Sequence, residues 1–68
     1  MKSEDARAYA RQRNVKLWEV AAELGISEPT LTRWLRKPLS DEREARFVAA
    51  VNTVAARKIR EIGGLVGE

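Results

Sequence analysis

Apart from Gly63, Gly64 and Gly67 near its end, the chain carries only three residues that interrupt helices, Gly25, Pro29 and Pro38. Glycine leaves a helix by taking the left-handed conformation, and proline disfavours helical backbone in the residue before it. No run of β-branched or aromatic residues alternates with polar ones between turn residues, so strands are not signalled. The expectation is an all-α domain of four helices, a three-helix core followed by a long C-terminal helix.

The first helix is predicted over 3–13, with Ser3 as N-cap and Glu4 and Asp5 in the first turn, where the helix dipole favours acids. Its apolar side is thin: Ala6, Tyr9 and Ala10. A second helix over 17–24 places Leu17, Val20, Ala21 and Leu24 on one stripe and stops at Gly25. Ser27 caps a third, with Glu28 in its first turn and Pro29 early enough that its missing N–H costs nothing. Leu31, Trp34 and Leu35 form its inner side, Trp34 as core, and Pro38 ends it at or before Lys37.

Ser40 or Asp41 caps the fourth helix, the latter with Glu44 at capping-box spacing. This helix carries two apolar rows, Phe47-Val51-Val54 and Val48-Ala55-Ile59-Ile62. One domain over 1–62 and a flexible tail over 63–68 are expected.

A chain of 68 residues forms one small core, worth roughly 3 to 5 kcal/mol of net stability. Without cysteine or histidine there is no thiol nucleophile, disulfide, zinc finger or Ser-His-Asp triad. No credible carboxylate pair is placed in a pocket, so no enzyme, metal, cofactor or small-molecule ligand is expected. The longest apolar run, residues 47–51, is far below the roughly 20 residues that span a bilayer. The start of the chain runs straight into charge without an apolar stretch, which predicts a cytoplasmic protein without a secretory signal.

The formal net charge is +3. Residues 1–39 hold eight cations against five acids, whereas residues 40–68 balance. Two windows are free of acids: 7–16, with Arg7, Arg11, Arg13 and Lys16, and 33–37, with Arg33, Arg36 and Lys37. Such local excess suits a polyanionic partner.

Two helices joined through Gly25-Ile26-Ser27 have the spacing of a helix-turn-helix, in which the small Ala21 permits a steep crossing. The stretch Val20-Ala21-Ala22-Glu23-Leu24-Gly25-Ile26-Ser27-Glu28-Pro29-Thr30-Leu31-Thr32-Arg33-Trp34-Leu35 resembles the helix-turn-helix of phage-repressor-like DNA-binding proteins. It is similar to the small regulators of bacterial phages, plasmids and integrative elements, and also to the N-terminal helix-turn-helix of insertion-sequence transposases. The resemblance is strong over 15–37, weaker over the first helix and weakest over the fourth. Lys16 stands where the family usually has a Thr or Ser cap, and Leu17 where it often has a phosphate-binding Gln. Lys16 then substitutes as a point charge.

The resemblance implies a transcriptional regulator, repressor-type, whose third helix enters the major groove of double-stranded DNA. Ser27, Glu28, Pro29, Thr30, Thr32, Arg33 and Arg36 become base-reading candidates, with Arg33 suited to guanine, Glu28 to the cytosine amine and the threonine methyls to thymine. Lys37, Lys16, Arg13 and Arg11 suit phosphates. Trp18, Val48, Ala55 and Ile59 are interface candidates, in keeping with a homodimer on an inverted-repeat operator. Two alternatives stand beside this reading: an excisionase-like architectural factor for recombination, and a protein-interaction module on the same scaffold.

Overall fold

The computed structural model describes the backbone of residues 1–66 and the side chains of residues 1–60. Among the described residues the chain is all-α, with four helices: α1 (Ser3–Gln12), α2 (Leu17–Leu24), α3 (Glu28–Trp34) and α4 (Asp41–Val66). α4 lies across α2 and α1, and α3 packs on α2. The molecule measures 44 × 20 × 16 Å. Its long axis is α4, since 26 residues at about 1.5 Å each give about 39 Å.

α1 and α2 end by the same device. After α1 the N–H of Val15 reaches the Ala10 carbonyl (2.9 Å) and that of Asn14 the Arg11 carbonyl (2.9 Å), with Asn14 at φ 57°. After α2 the N–H of Ile26 reaches Ala21 (3.0 Å) and that of Gly25 reaches Ala22 (3.2 Å), with Gly25 at φ 73°. Both are Schellman endings, which satisfy carbonyls that a helix terminus leaves without partners. Nothing lies within 4 Å of where a Cβ at Gly25 would be, so only backbone conformation calls for glycine there.

One helix N-terminus differs from the sequence reading, and another decides between its two alternatives. Ser3 is the first residue of α1 rather than its cap; Lys2 occupies the cap position, and the Ser3 hydroxyl points across the molecule to the Leu35 carbonyl. Ser40, not Asp41, caps α4, its Oγ accepting from the Arg43 N–H at 3.3 Å. Glu44 is therefore not half of a capping box; its carboxylate pairs with the Met1 ammonium at 2.8 Å.

The core forms where the four helices meet. Phe47, Val51 and Val54 of α4 lie against Val20 and Ala21 of α2, Leu31 of α3, and Ala6 and Ala10 of α1, all buried. Val15, Leu35, Leu39 and Ala50 complete it. Val15 and Leu39 come from the connections, where helical periodicity gives no signal. Burying a side chain such as Phe47 contributes on the order of 2 kcal/mol, so a few residues decide whether this domain folds. Trp34, expected in the core, is only half-buried: it packs on the core by one side, while the Arg43 guanidinium sits over its ring, 4.7 Å from the centroid.

The α4 backbone continues through Gly63 and Gly64, beyond the end expected at Ile62. Residues 63–66 of the expected tail are helical backbone, whereas the Ile62 side chain and residues 67–68 lie outside the described residues. No helix among the described residues is long and apolar enough to cross a membrane.

Candidate functional site

α3 is seven residues long and packs through Leu31, with Trp34 half-buried at its end. Every third or fourth residue turns inward, so the positions between them face out. Glu28, Pro29, Thr32 and Arg33 are exposed and, together with Arg36, line a shallow depression. Arg36 was expected on the helix itself. It belongs instead to the turn that follows, because α3 ends at Trp34 with Leu35 as its C-cap, before Pro38 is reached. Lys37 is exposed in the same turn.

Ser27 and Thr30 differ from the other base-reading candidates. The Ser27 Oγ accepts from the Thr30 N–H at 3.3 Å and lies 2.9 Å from the Thr30 hydroxyl, and Thr30 is half-buried. Their polar atoms are occupied in capping α3.

The remaining cations fall into two groups. Arg11 and Lys16, joined by Arg7, line a hollow floored by Ala10 and Val15 at the corner between α1 and α2. Among the described residues no acid lines that hollow. Arg13 is not part of it: its guanidinium stacks 3.5 Å from the Tyr9 ring centroid and donates to the Tyr9 carbonyl at 3.2 Å. The spacing of four along α1 and its ending brings these two side chains together. Tyr9 is in turn fixed by its hydroxyl, which donates to Asn52 Oδ1 at 3.0 Å.

Acids near α2 are committed to α4. Glu19 Oε1 accepts from Lys58 Nζ at 2.7 Å and from the Lys16 N–H at 2.8 Å, so one carboxylate holds α4 and the start of α2. Lys58 also donates to the Asn14 carbonyl at 2.6 Å. Burial pushes the Glu19 carboxyl up, but hydrogen bonds from Lys58 and Lys16, with the attraction of both positive charges, outweigh it and hold the group below the ordinary carboxylate range. Glu23 pairs with Arg57 at 2.9 Å. None of these ties was anticipated from sequence. The partners in the ties to α4 are more than thirty residues apart, and only the packing of α4 on this side of the molecule brings them within reach.

Among the interface candidates, Trp18 and Ile59 are 58% and 71% exposed. Val48 and Ala55 are half-buried, Ala55 against the core. Trp18 borders a second hollow with Ala22 and Val54, whose rim is the two ion pairs between α2 and α4. Of the row Val48-Ala55-Ile59, Ala55 is thus used within the molecule and Ile59 stands exposed. No family model matches the chain, and no curated protein or solved structure matches it either.

Proposed function

We propose that this chain binds duplex DNA sequence-specifically, with the outward side of α3 and the turn after it in the major groove, and acts as a transcriptional regulator of the repressor type. The observation that carries the reading is the chemistry of that face. Arg33, Arg36 and Lys37 are exposed, and among the described residues none of them is in a salt bridge. The short helix behind them is braced by a filled core. A major groove about 12 Å wide admits one helix, and a guanidinium presented from it can bond guanine O6 and N7 together.

Arg33 is the leading base-reading residue, with Glu28 and Thr32 beside it. Lys37, Lys16 and Arg11 neutralise phosphates, Arg7 adding to the corner hollow. Ser27 and Thr30 serve mainly as the cap. If about five phosphates are neutralised, log K falls with log salt with a slope of roughly −4 to −5.

Titration of labelled random and genomic duplexes, with Arg33→Ala and Arg36→Ala as controls, tests the assignment. The expected result is saturable binding that both substitutions weaken; binding indifferent to them would remove α3 as the reading face. The exposures of Trp18 and Ile59 favour a second element, self-association through the α2–α4 side or the end of α4. A C2 dimer places two copies of α3 about 34 Å apart and reads an inverted repeat. Selection of bound sequences from a random duplex pool, with sedimentation of the free protein, checks both points.

A further inference from the structure

We infer that Ser3 is a positioning residue for the polyanion contact: its hydroxyl pins the turn after α3 and so fixes where Arg36 and Lys37 are presented. The inference rests on the DNA-binding reading above. It starts from the fate of the carbonyls at the end of α3, which as at any helix C-terminus lack N–H partners within the helix. The Leu35 carbonyl finds its partner in the Ser3 hydroxyl, contributed by the first turn of α1. A hydroxyl has one proton to donate, so the Lys37 carbonyl, 3.5 Å away, lies at the outer limit of the same interaction.

The other end of the turn is tied in the same way. The Leu39 N–H donates to the Met1 carbonyl at 2.7 Å, and the Leu39 side chain is buried. Leu35 is buried as well. Between these two anchors only Arg36, Lys37 and Pro38 are exposed, and Pro38 has a locked φ and no N–H of its own. A three-residue span anchored through side chain and backbone at both ends has little freedom in where it aims its two cations. Ser3 is free for this task because it does not cap α1. Removing its hydroxyl leaves the Leu35 carbonyl without that donor and frees the near end of the turn.

The test combines the free protein with its DNA titration, comparing wild type, Ser3→Ala and Ser3→Thr. In the free protein, NMR amide exchange and order parameters over 35–39 should show a loosened turn in Ser3→Ala and a wild-type turn in Ser3→Thr. On a selected duplex, Ser3→Ala should weaken binding about three- to tenfold, the range one ordinary hydrogen bond is worth. The salt slope should become shallower by about one, as for the loss of one phosphate contact. Added to Arg36→Ala/Lys37→Ala, the Ser3→Ala change should cost nothing further in affinity.

An unaltered turn in Ser3→Ala overturns the inference while leaving the DNA reading intact. An equal loss of affinity in the Arg36→Ala/Lys37→Ala background also overturns it, since Ser3 would then act through the fold at large. Absence of DNA binding by the wild-type chain at low salt removes the reading itself, and the presenting role with it; the NMR comparison separates that failure from the others.

Discussion

Two regions of this small molecule use the same kinds of residue to opposite ends. Along the contact of α2 with α4, Lys58 and Arg57 are held by Glu19 and Glu23, and the cations serve to join helices. On α3 and its following turn, Arg33, Arg36 and Lys37 stand exposed, without an ion pair among the described residues. Among the described residues Glu28 is the one acid lining that depression, and it too is exposed. The difference lies in neighbours rather than residue type. A charge with an opposite charge in reach is spent inside the protein, and one without it remains available to a partner. Exposed pairs contribute little, about 0 to 1 kcal/mol, so the partly covered Glu19–Lys58 contact matters more than the more exposed Glu23–Arg57 one.

Both regions depend on one frame, and removing it should have the largest effect. Phe47 is fully buried where α4 crosses the other helices. Phe47→Ala should cost about 3 to 5 kcal/mol, comparable to the whole stability of a domain this size. Circular dichroism during urea titration should find it largely unfolded at 25 °C, with both regions lost together. A folded Phe47→Ala protein would mean the core is not shared as described.

Arg33→Ala sharpens the contrast from the α3 side. It should weaken specific DNA binding by about 1 to 3 kcal/mol and relax preference at one base position. The fold should be unaffected within about 0.5 kcal/mol, because an exposed residue with no partner is removed. A lowered thermal midpoint alongside unchanged affinity would reverse the roles assigned to the two regions.

Glu19→Gln tests the α2–α4 side. The folded carboxyl is held below its ordinary value, so its contribution is present above the unfolded pKa and is lost as pH falls through the folded one. At pH 7 the variant should be less stable by about 1 kcal/mol. The gap should close as pH falls below the ordinary carboxylate range, in urea titrations at several pH values. A gap independent of pH would point to packing rather than charge.

The smallest effect on the fold is expected at the exposed apolar residues. Trp18→Ser and Ile59→Ser should change monomer stability by no more than about 0.5 kcal/mol. If the α2–α4 side or the end of α4 is a contact between copies, at least one of them should shift sedimentation toward the monomer. Unchanged sedimentation in both would leave these residues without a role in self-association.

Much of the frame was legible in the sequence. Leu17 to Leu24 repeats its apolar residues at helical spacing, and Gly25 marks the end of that helix because its backbone conformation is the one glycine takes easily. Ser27 announces α3 for the same kind of local reason. Local rules were weaker where two residues compete for one role. Ser3, followed by two acids, has the pattern of a cap, yet Lys2 sits at that position and the hydroxyl serves a carbonyl 32 residues away. Ser40 and Asp41 were equally eligible, and the N-terminal ammonium decided nothing until the fold brought it to Glu44.

The candidate site divides in the same manner. Which α3 residues face outward follows from helical period once Leu31 is buried, so Glu28, Pro29, Thr32 and Arg33 could be named from sequence. That Arg36 lies beyond the helix, that Arg13 is stacked on Tyr9, and that the Thr30 hydroxyl turns to Ser27 could not. An all-α chain, helix boundaries within a few residues and a positive excess confined to residues 1–39 all follow from the order of the residues. These depend on neighbours within one or two turns. Which charges are paired among the described residues emerged with the packed helices, because pairing depends on distances between helices set by the core.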